Sequence, residues 1–184
     1  MGNKMSSVKR VVLLNTILIV CFAQGRTQQQ QGALNDNVVR GSLFELRNKR
    51  RVLLLVQRSS VVDAREQGRA IMAEVYGSSA ESRTRFPRVF NAIAKKLNKY
   101  MSRHQSITAA QSISDAEFII FFNLLEYRRP LGTPYPYGDM FVILNDHSNG
   151  HQPRIIWKTR KSPLWAEDAI EEFLRDLKFT RGEG

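Results

Sequence analysis

The segment Ala116 to Tyr127, AEFIIFFNLLEY, sets the strongest constraint on what this chain can become. Glu117, Asn123 and Glu126 are its only strongly polar residues, and they leave no continuous polar face for a surface helix. Its aromatic and β-branched residues suit a pleated, packed surface. The segment therefore predicts a long strand in the middle of a sheet. Met140 to Leu144, MFVIL, and Arg154 to Arg160, RIIWKTR, predict the next two strands. The segment from Pro130 to Gly138 reads as the loop between the first two. Asn145 to Pro153 joins the second and third and contains Asn149-Gly150, a pair that favours a tight hairpin turn. The three strands form an antiparallel meander. Upstream, Val52 to Val56, VLLLV, is a short continuous apolar run between polar residues, as expected of a strand buried on both faces. Val38 to Leu46 adds a short element before it.

Two segments carry helical periodicity. Phe86, Val89, Phe90, Ile93, Leu97, Tyr100 and Met101 recur at steps of three and four, which predicts a helix over Arg85 to Ser102 with one wide apolar face. Thr84 is the expected N-cap, and Pro87 falls in the first turn, where its missing N–H does no harm. Ser162-Pro163 opens a last helix, with Glu167 and Asp168 in the first turn, where the helix dipole favours acids. Trp165, Ala169, Ile170, Phe173, Leu174 and Leu177 make its inner face, and Gly182 follows its end. Asp63 to Tyr76 holds good helix formers and stops at Gly77-Ser78-Ser79, a further helix. The expected fold is α+β: a mainly antiparallel sheet of four to five strands with two to three helices packed on one face.

The N-terminus addresses the chain rather than folding it. Lys4, Lys9 and Arg10 precede a charge-free apolar run from Val11 to Phe22, and small residues follow at Cys21, Ala23 and Gly25. That order is the layout of a secretory signal peptide. A membrane span needs about 20 apolar residues, more than this run supplies. A lipid-anchored route through Cys21 is disfavoured by the bulky Ile19 and Val20 before it. Residues 1–25 are thus expected to be a signal peptide, 26–37 (RTQQQQGALNDN) a flexible polar leader, and 38–184 a single α/β domain, secreted or periplasmic after cleavage. Cys21 is the one cysteine, so the mature chain would contain neither a disulfide nor a thiolate metal site.

Loss of residues 1–25 takes away three cations and no acid from a formal charge of +11, leaving +8. Such a domain attracts anions. Outside the cytoplasm the expected partners are lipid headgroups, acidic polysaccharide or an acidic protein, with nucleic acid disfavoured. Ser82 to Ser114 contains no Asp or Glu, yet holds Arg83, Arg85, Arg88, Lys95, Lys96, Lys99 and Arg103. On a helix, Arg88, Lys95, Lys96, Lys99 and Arg103 cluster away from the apolar face, which makes them the candidate anion-binding residues. An ordinary solvated face mixes signs to gain i,i+4 pairs, and this one cannot. A second candidate surface, for a protein partner, is Arg128 and Arg129 with Tyr135 and Tyr137 of the proline-stiffened loop. The alternative there is a stiff connection whose tyrosines fold back onto the sheet. Asp146, His147 and His151 share one turn without a fourth ligand and read as turn residues, not a metal site; His104 reads as a turn or sheet residue rather than a base. No nucleophile elbow, zinc-protease helix, P-loop or dinucleotide glycine pattern is present. Paired acids such as Glu171 and Glu172 are explained by capping and solvation. The chain thus reads as a non-enzymatic, cofactor-free binding or envelope-associated domain. A structural protein using its sheet edge or Tyr/Pro loop is the alternative, and an enzyme with an unrecognised site a further one.

The C-terminal half also has a recognisable cadence. Ser114-Asp115-Ala116-Glu117 leads into the strand FIIFFNLLEY, and Ile143-Leu144-Asn145-Asp146, a turn and Ile155-Ile156-Trp157-Lys158 follow. Over roughly residues 114–178 this resembles a broad group of uncharacterised bacterial envelope proteins, in which an Ala-Asp entry precedes a strand and a strand–Asp–turn–Ile-Trp-Lys hairpin precedes a final helix. Here Asp and Ala are reversed, and Asn145 stands before the Asp. The resemblance implies an exported α/β domain and no particular activity.

Expressed in an exporting host, the chain should lose its first 23 or 25 residues, cut before Gln24 or Arg26. Intact mass of the exported product checks this; a full-length, membrane-bound product would contradict it.

Overall fold

The computed structural model describes residues 39–58, 67–77, 86–145, 152–161 and 163–183. The expected signal peptide and leader, the Thr84 and Ser162 caps, the Asn149-Gly150 turn, and Arg83, Arg85, Asp146, His147 and His151 all lie outside these residues. The strands are β1 (Arg51–Gln57), β2 (Thr108–Ala109), β3 (Phe118–Arg128), β4 (Tyr135–Leu144), β5 (Arg154–Lys158) and β6 (Leu164–Trp165). The helices are α1 (Gln67–Gly77), α2 (Pro87–His104) and α3 (Ala166–Arg181). Val38 to Leu46 contributes a 3-10 turn at Leu43–Leu46, closed by a reciprocal Ser42/Glu45 capping box. Among the described residues, no helix is long and apolar enough to cross a membrane.

The sheet runs β2-β1-β3-β4-β5, with β6 added to β4. The meander β3-β4-β5 is antiparallel, as expected. β1 differs, because it is parallel to both of its neighbours, β2 and β3. The return from β1 to β3 passes through α1 and α2, the long crossover that a parallel pair requires. The fold is α+β on a mixed, mostly antiparallel sheet.

Alternation along the strands sorts the core into two layers. Leu54, Ile120, Phe122, Met140 and Val142 point to one face, where Val89, Ile93 and Leu97 of α2 and Ile170, Phe173 and Leu177 of α3 cover them. Leu53, Leu55, Ile119, Phe121, Phe141 and Ile143 point to the other, against Ile71 and Val75 of α1. Helices therefore cover both faces rather than one. The cause lies in β1 and in the first half of β3, which are apolar at nearly every position and need cover on each side.

Element ends moved for local reasons. α2 begins at Pro87 with Phe86, not Thr84, as its N-cap residue. It ends in Gln105, whose left-handed φ of 52° donates the cap N–H to the Met101 carbonyl. α3 begins at Ala166, so Trp165 belongs to β6 and not to the helix's inner face. Gly182, with φ 68°, closes α3 by donating its N–H to the Lys178 and Phe179 carbonyls. β4 starts at Tyr135 instead of Met140, so the second part of the expected loop, Tyr135 to Gly138, is strand.

Two polar clamps lock the register. The Glu117 carboxylate accepts the backbone N–H groups of Arg50 at 2.7 Å and Arg51 at 2.9 Å, joining the starts of β1 and β3. At the same end of the sheet, where β4 finishes beside the start of β3, buried Asn145 donates to the Ile113 and Ala116 carbonyls at 2.6 and 2.7 Å and accepts from the Tyr76 hydroxyl at 2.7 Å. Burial pushes the Tyr76 phenol well above its ordinary value, so it stays a donor. Arg181, almost fully buried, donates to the Leu46 carbonyl at 2.8 Å and the Ser106 carbonyl at 3.2 Å, tying the end of α3 to both neighbouring turns.

A β-bulge at Leu124/Glu126 brings the Gly138 backbone against Asn123. A Cβ at Gly138 would lie 2.0 Å from the Asn123 carbonyl oxygen, so the backbones themselves would have to part. Gly138→Ala should cost about 2–3 kcal/mol; chemical denaturation checks this, and an unchanged midpoint would contradict it. For Glu117, burial disfavours the charge, but the N–H groups of Arg51 and Arg50 and the charges of Arg51 and Lys49 outweigh it and hold the carboxyl below its ordinary value. A group with a depressed folded pKa stabilises above its unfolded value, and the contribution is lost as pH falls through the folded one. Glu117→Gln should therefore lower stability at neutral pH by about 1 kcal/mol. The gap to wild type should close in acid, and denaturation at several pH values reads it.

Candidate functional site

α2 is held down by Val89, Ile93, Leu97 and Tyr100, all buried in one stripe. Lys95 and Lys99 stand about 200° around the helix from Ile93 and Leu97, on the side away from the sheet. Arg88, Lys95, Lys99 and Arg103 are all exposed. None of the four has an ion-pair partner among the described residues. From Arg88 to Arg103 the stripe is about 22 Å long at 1.5 Å per residue. Three of the four, Lys95, Lys99 and Arg103, lie from the middle of α2 to its last turn, where cations complement the negative end of the helix dipole.

Lys96 does not join this stripe. It is half-buried and hydrogen-bonded to Glu171 of α3, whose bond and charge raise the ammonium above its ordinary value. The helix supplies no acid of its own, and its neighbour supplies one. Four of the five expected residues thus share the open face, and the fifth joins two helices. Near the end of α2, the Tyr100 hydroxyl is bound to Glu183, and burial followed by that bond pushes its pKa up to about 12. His104 is the last residue of the helix, not a turn or sheet residue; its ring packs 4.7 Å from that of Tyr100.

The second expected surface is a strand hairpin instead of a loop. Tyr135 and Tyr137 lie on β4, opposite Arg128 and Glu126 of β3. Both tyrosine rings meet Trp165 edge-on, at 5.7 and 4.9 Å. The Arg128 guanidinium stacks 3.7 Å from the centre of the Tyr137 ring and bonds Glu126 at 2.5 Å. Those contacts fold the tyrosines back on the structure, and Arg128 is already engaged. Arg129 and the outer edge of Tyr135 remain exposed.

A polar row across three strands was not anticipated from the sequence. Gln57, Asn123 and Asp139 are paired in register across β1, β3 and β4 and are 6%, 1% and 5% exposed. They face α1, whose first residue, Gln67, donates to Asp139 at 3.4 Å and accepts from the Lys158 ammonium at 3.0 Å. The only signal was that Gln57 and Asn123 interrupt otherwise apolar runs. Gln57 Oε1 is buried without a hydrogen-bond partner among the described residues, while Asn123 and Asp139 are both engaged. The row seats α1 on the sheet and presents no nucleophile beside a base.

No protein-family model, no curated protein and no solved structure matches this chain.

Proposed function

We propose that this chain is a non-enzymatic binding domain, acting outside the cytoplasm, which docks on an anionic surface through the outer face of α2. One observation carries the reading: Arg88, Lys95, Lys99 and Arg103 are exposed along one helix face with no ion-pair partner among the described residues, while Lys96, at its border, is paired with Glu171. Such a stripe matches a surface of repeated negative charge better than a single compact anion, because its cations are spread over four helical turns. Lipid headgroups and acidic polysaccharide share that chemistry. The signal-peptide layout of residues 1–25 supports this reading, since an exported domain would meet such surfaces.

Lys95→Glu, Lys99→Glu and Arg103→Glu together should leave folding within about 0.5 kcal/mol, because the three side chains are exposed and without ion-pair partners among the described residues. Each cation near an anionic bilayer contributes about 1 kcal/mol, so the triple reversal should weaken retention on anionic vesicles or an acidic polysaccharide column about a hundredfold. Wild-type retention should fall steeply with added salt. Equal retention of the reversed protein, or no wild-type retention on any anionic surface at low salt, would overturn the reading. Glu171→Gln frees Lys96 and should strengthen retention slightly.

A further inference from the structure

The outer layer of helices carries aromatic as well as charged groups, and the two meet at one end. Phe179 of α3 is 83% exposed and Phe44 of the 3-10 turn is 61% exposed, the two highest values among the exposed large apolar side chains. Phe179 lies two residues beyond buried Leu177, about 200° around the helix, so it points away from the sheet as Lys95 and Lys99 do on α2. α2 and α3 pack side by side on the same face and run parallel. Lys96 meets Glu171 early in α3, and Tyr100 and His104 meet Glu183 just past its end. Phe179 therefore stands near the C-terminal ends of both helices, at the level of Lys99 and Arg103.

Phe44 and Phe179 also border one open groove of about 600 Å³ between the 3-10 turn, β5 and α3. Arg160 and Arg175 line it, against a single carboxylate, Asp176. That carboxylate is already bonded to Arg160 at 2.6 Å and to the Trp157 indole N–H at 3.0 Å. The exposed acids of α3, Glu167, Asp168 and Glu171, sit in its first half, away from the phenylalanines. The surface thus changes along the helices from mixed charge to cations with protruding aromatic rings.

From this juxtaposition we infer that the anionic partner is a lipid bilayer, entered at its interface by Phe179 and Phe44 while Lys99, Arg103 and Arg175 contact headgroup phosphates. The inference rests on the docking role of α2 and names which of its anionic surfaces is used. Two protruding phenylalanines gain more by leaving water for a hydrocarbon interior than by resting on a strongly hydrated soluble polysaccharide. An interfacial surface combines an apolar element with a cationic one, and its binding scales with both. The acids of α3 fix the tilt, with the C-terminal ends of the helices toward the bilayer.

The test places a reporter at the inserted position. Phe179→Trp is made in the full chain, and emission in excess of the wild-type chain, which supplies the background of Trp157 and Trp165, is followed on phosphatidylglycerol vesicles containing bromolipid. The inference expects a blue shift and strong quenching of the added indole, with neither on purely phosphatidylcholine vesicles. It also expects Phe44→Ala with Phe179→Ala to weaken vesicle binding about tenfold, as befits the apolar area withdrawn. Affinity for a soluble acidic polysaccharide should stay unchanged. An indole that stays unquenched on vesicles that retain the protein in a salt-dependent way overturns lipid insertion and leaves the docking role of α2 intact. Quenching that survives Lys95→Glu, Lys99→Glu and Arg103→Glu overturns that role and leaves insertion. Concentration-dependent self-association abolished by Phe179→Ala, with no quenching on lipid, assigns the aromatic pair to a second copy of the chain and overturns the inference.

Discussion

The structure depends on the burial of β3 from both sides. Phe118 to Leu124 are all buried, and their side chains alternate between two layers that different helices must fill. Fully burying a large apolar side chain is worth about 1.5–3 kcal/mol, so leaving either face of this strand open would forfeit much of a small domain's stability. The need for cover on both faces accounts for α1 on one side and α2 with α3 on the other. It also accounts for the parallel seating of β1. A second strand apolar on both faces belongs in the interior of the sheet, beside β3, and the α1–α2 crossover brings it there.

Past Leu124 the same strand changes character. The bulge shifts the pairing, and Glu126, Tyr127 and Arg128 emerge into solvent, still paired to β4. β4 follows it out with Tyr135, Pro136 and Tyr137, residues whose composition suggests a turn. Backbone pairing to β3 and ring contacts with Trp165 hold them as strand. Gly138 lies where the two backbones approach most closely, which leaves no room for a side chain.

Charge in this domain is sorted by pairing. Glu45 with Arg154, Asp115 and Glu117 with Arg51, Glu126 with Arg128, Glu171 with Lys96 and Asp176 with Arg160 consume acids over much of the surface. With more basic than acidic residues in the chain, cations are left over. Exposed cations without an acid stand at several places, Arg47, Arg58 and Arg129 among them, but four share the outer face of α2, where among the described residues Lys96 has an acid and Arg88, Lys95, Lys99 and Arg103 have none. Exposed pairs of this kind contribute little to stability, so their larger effect is on where the field of the protein is positive.

Much of this architecture was legible in the residues alone. Continuous apolar and aromatic runs placed β1 and β3, the 3.6-residue period placed α2 and α3, and the first-turn acids Glu167 and Asp168 and the terminal Gly182 marked α3, because these are local rules of backbone and dipole. Grouping Arg88, Lys95, Lys99 and Arg103 on one face follows from helical spacing in the same way. What the sequence could not decide was which segments meet. Val52 pairs with Phe118, and Lys96 with Glu171, across separations that no local period encodes. The parallel direction of β1, the helix on the second face, the row Gln57, Asn123 and Asp139, and the loss of Lys96 from the basic face all depend on such meetings. Sequence fixes a residue's own preference, but whether a charge is free or a strand is flanked is a property of its neighbours, and only the tertiary structure supplies them.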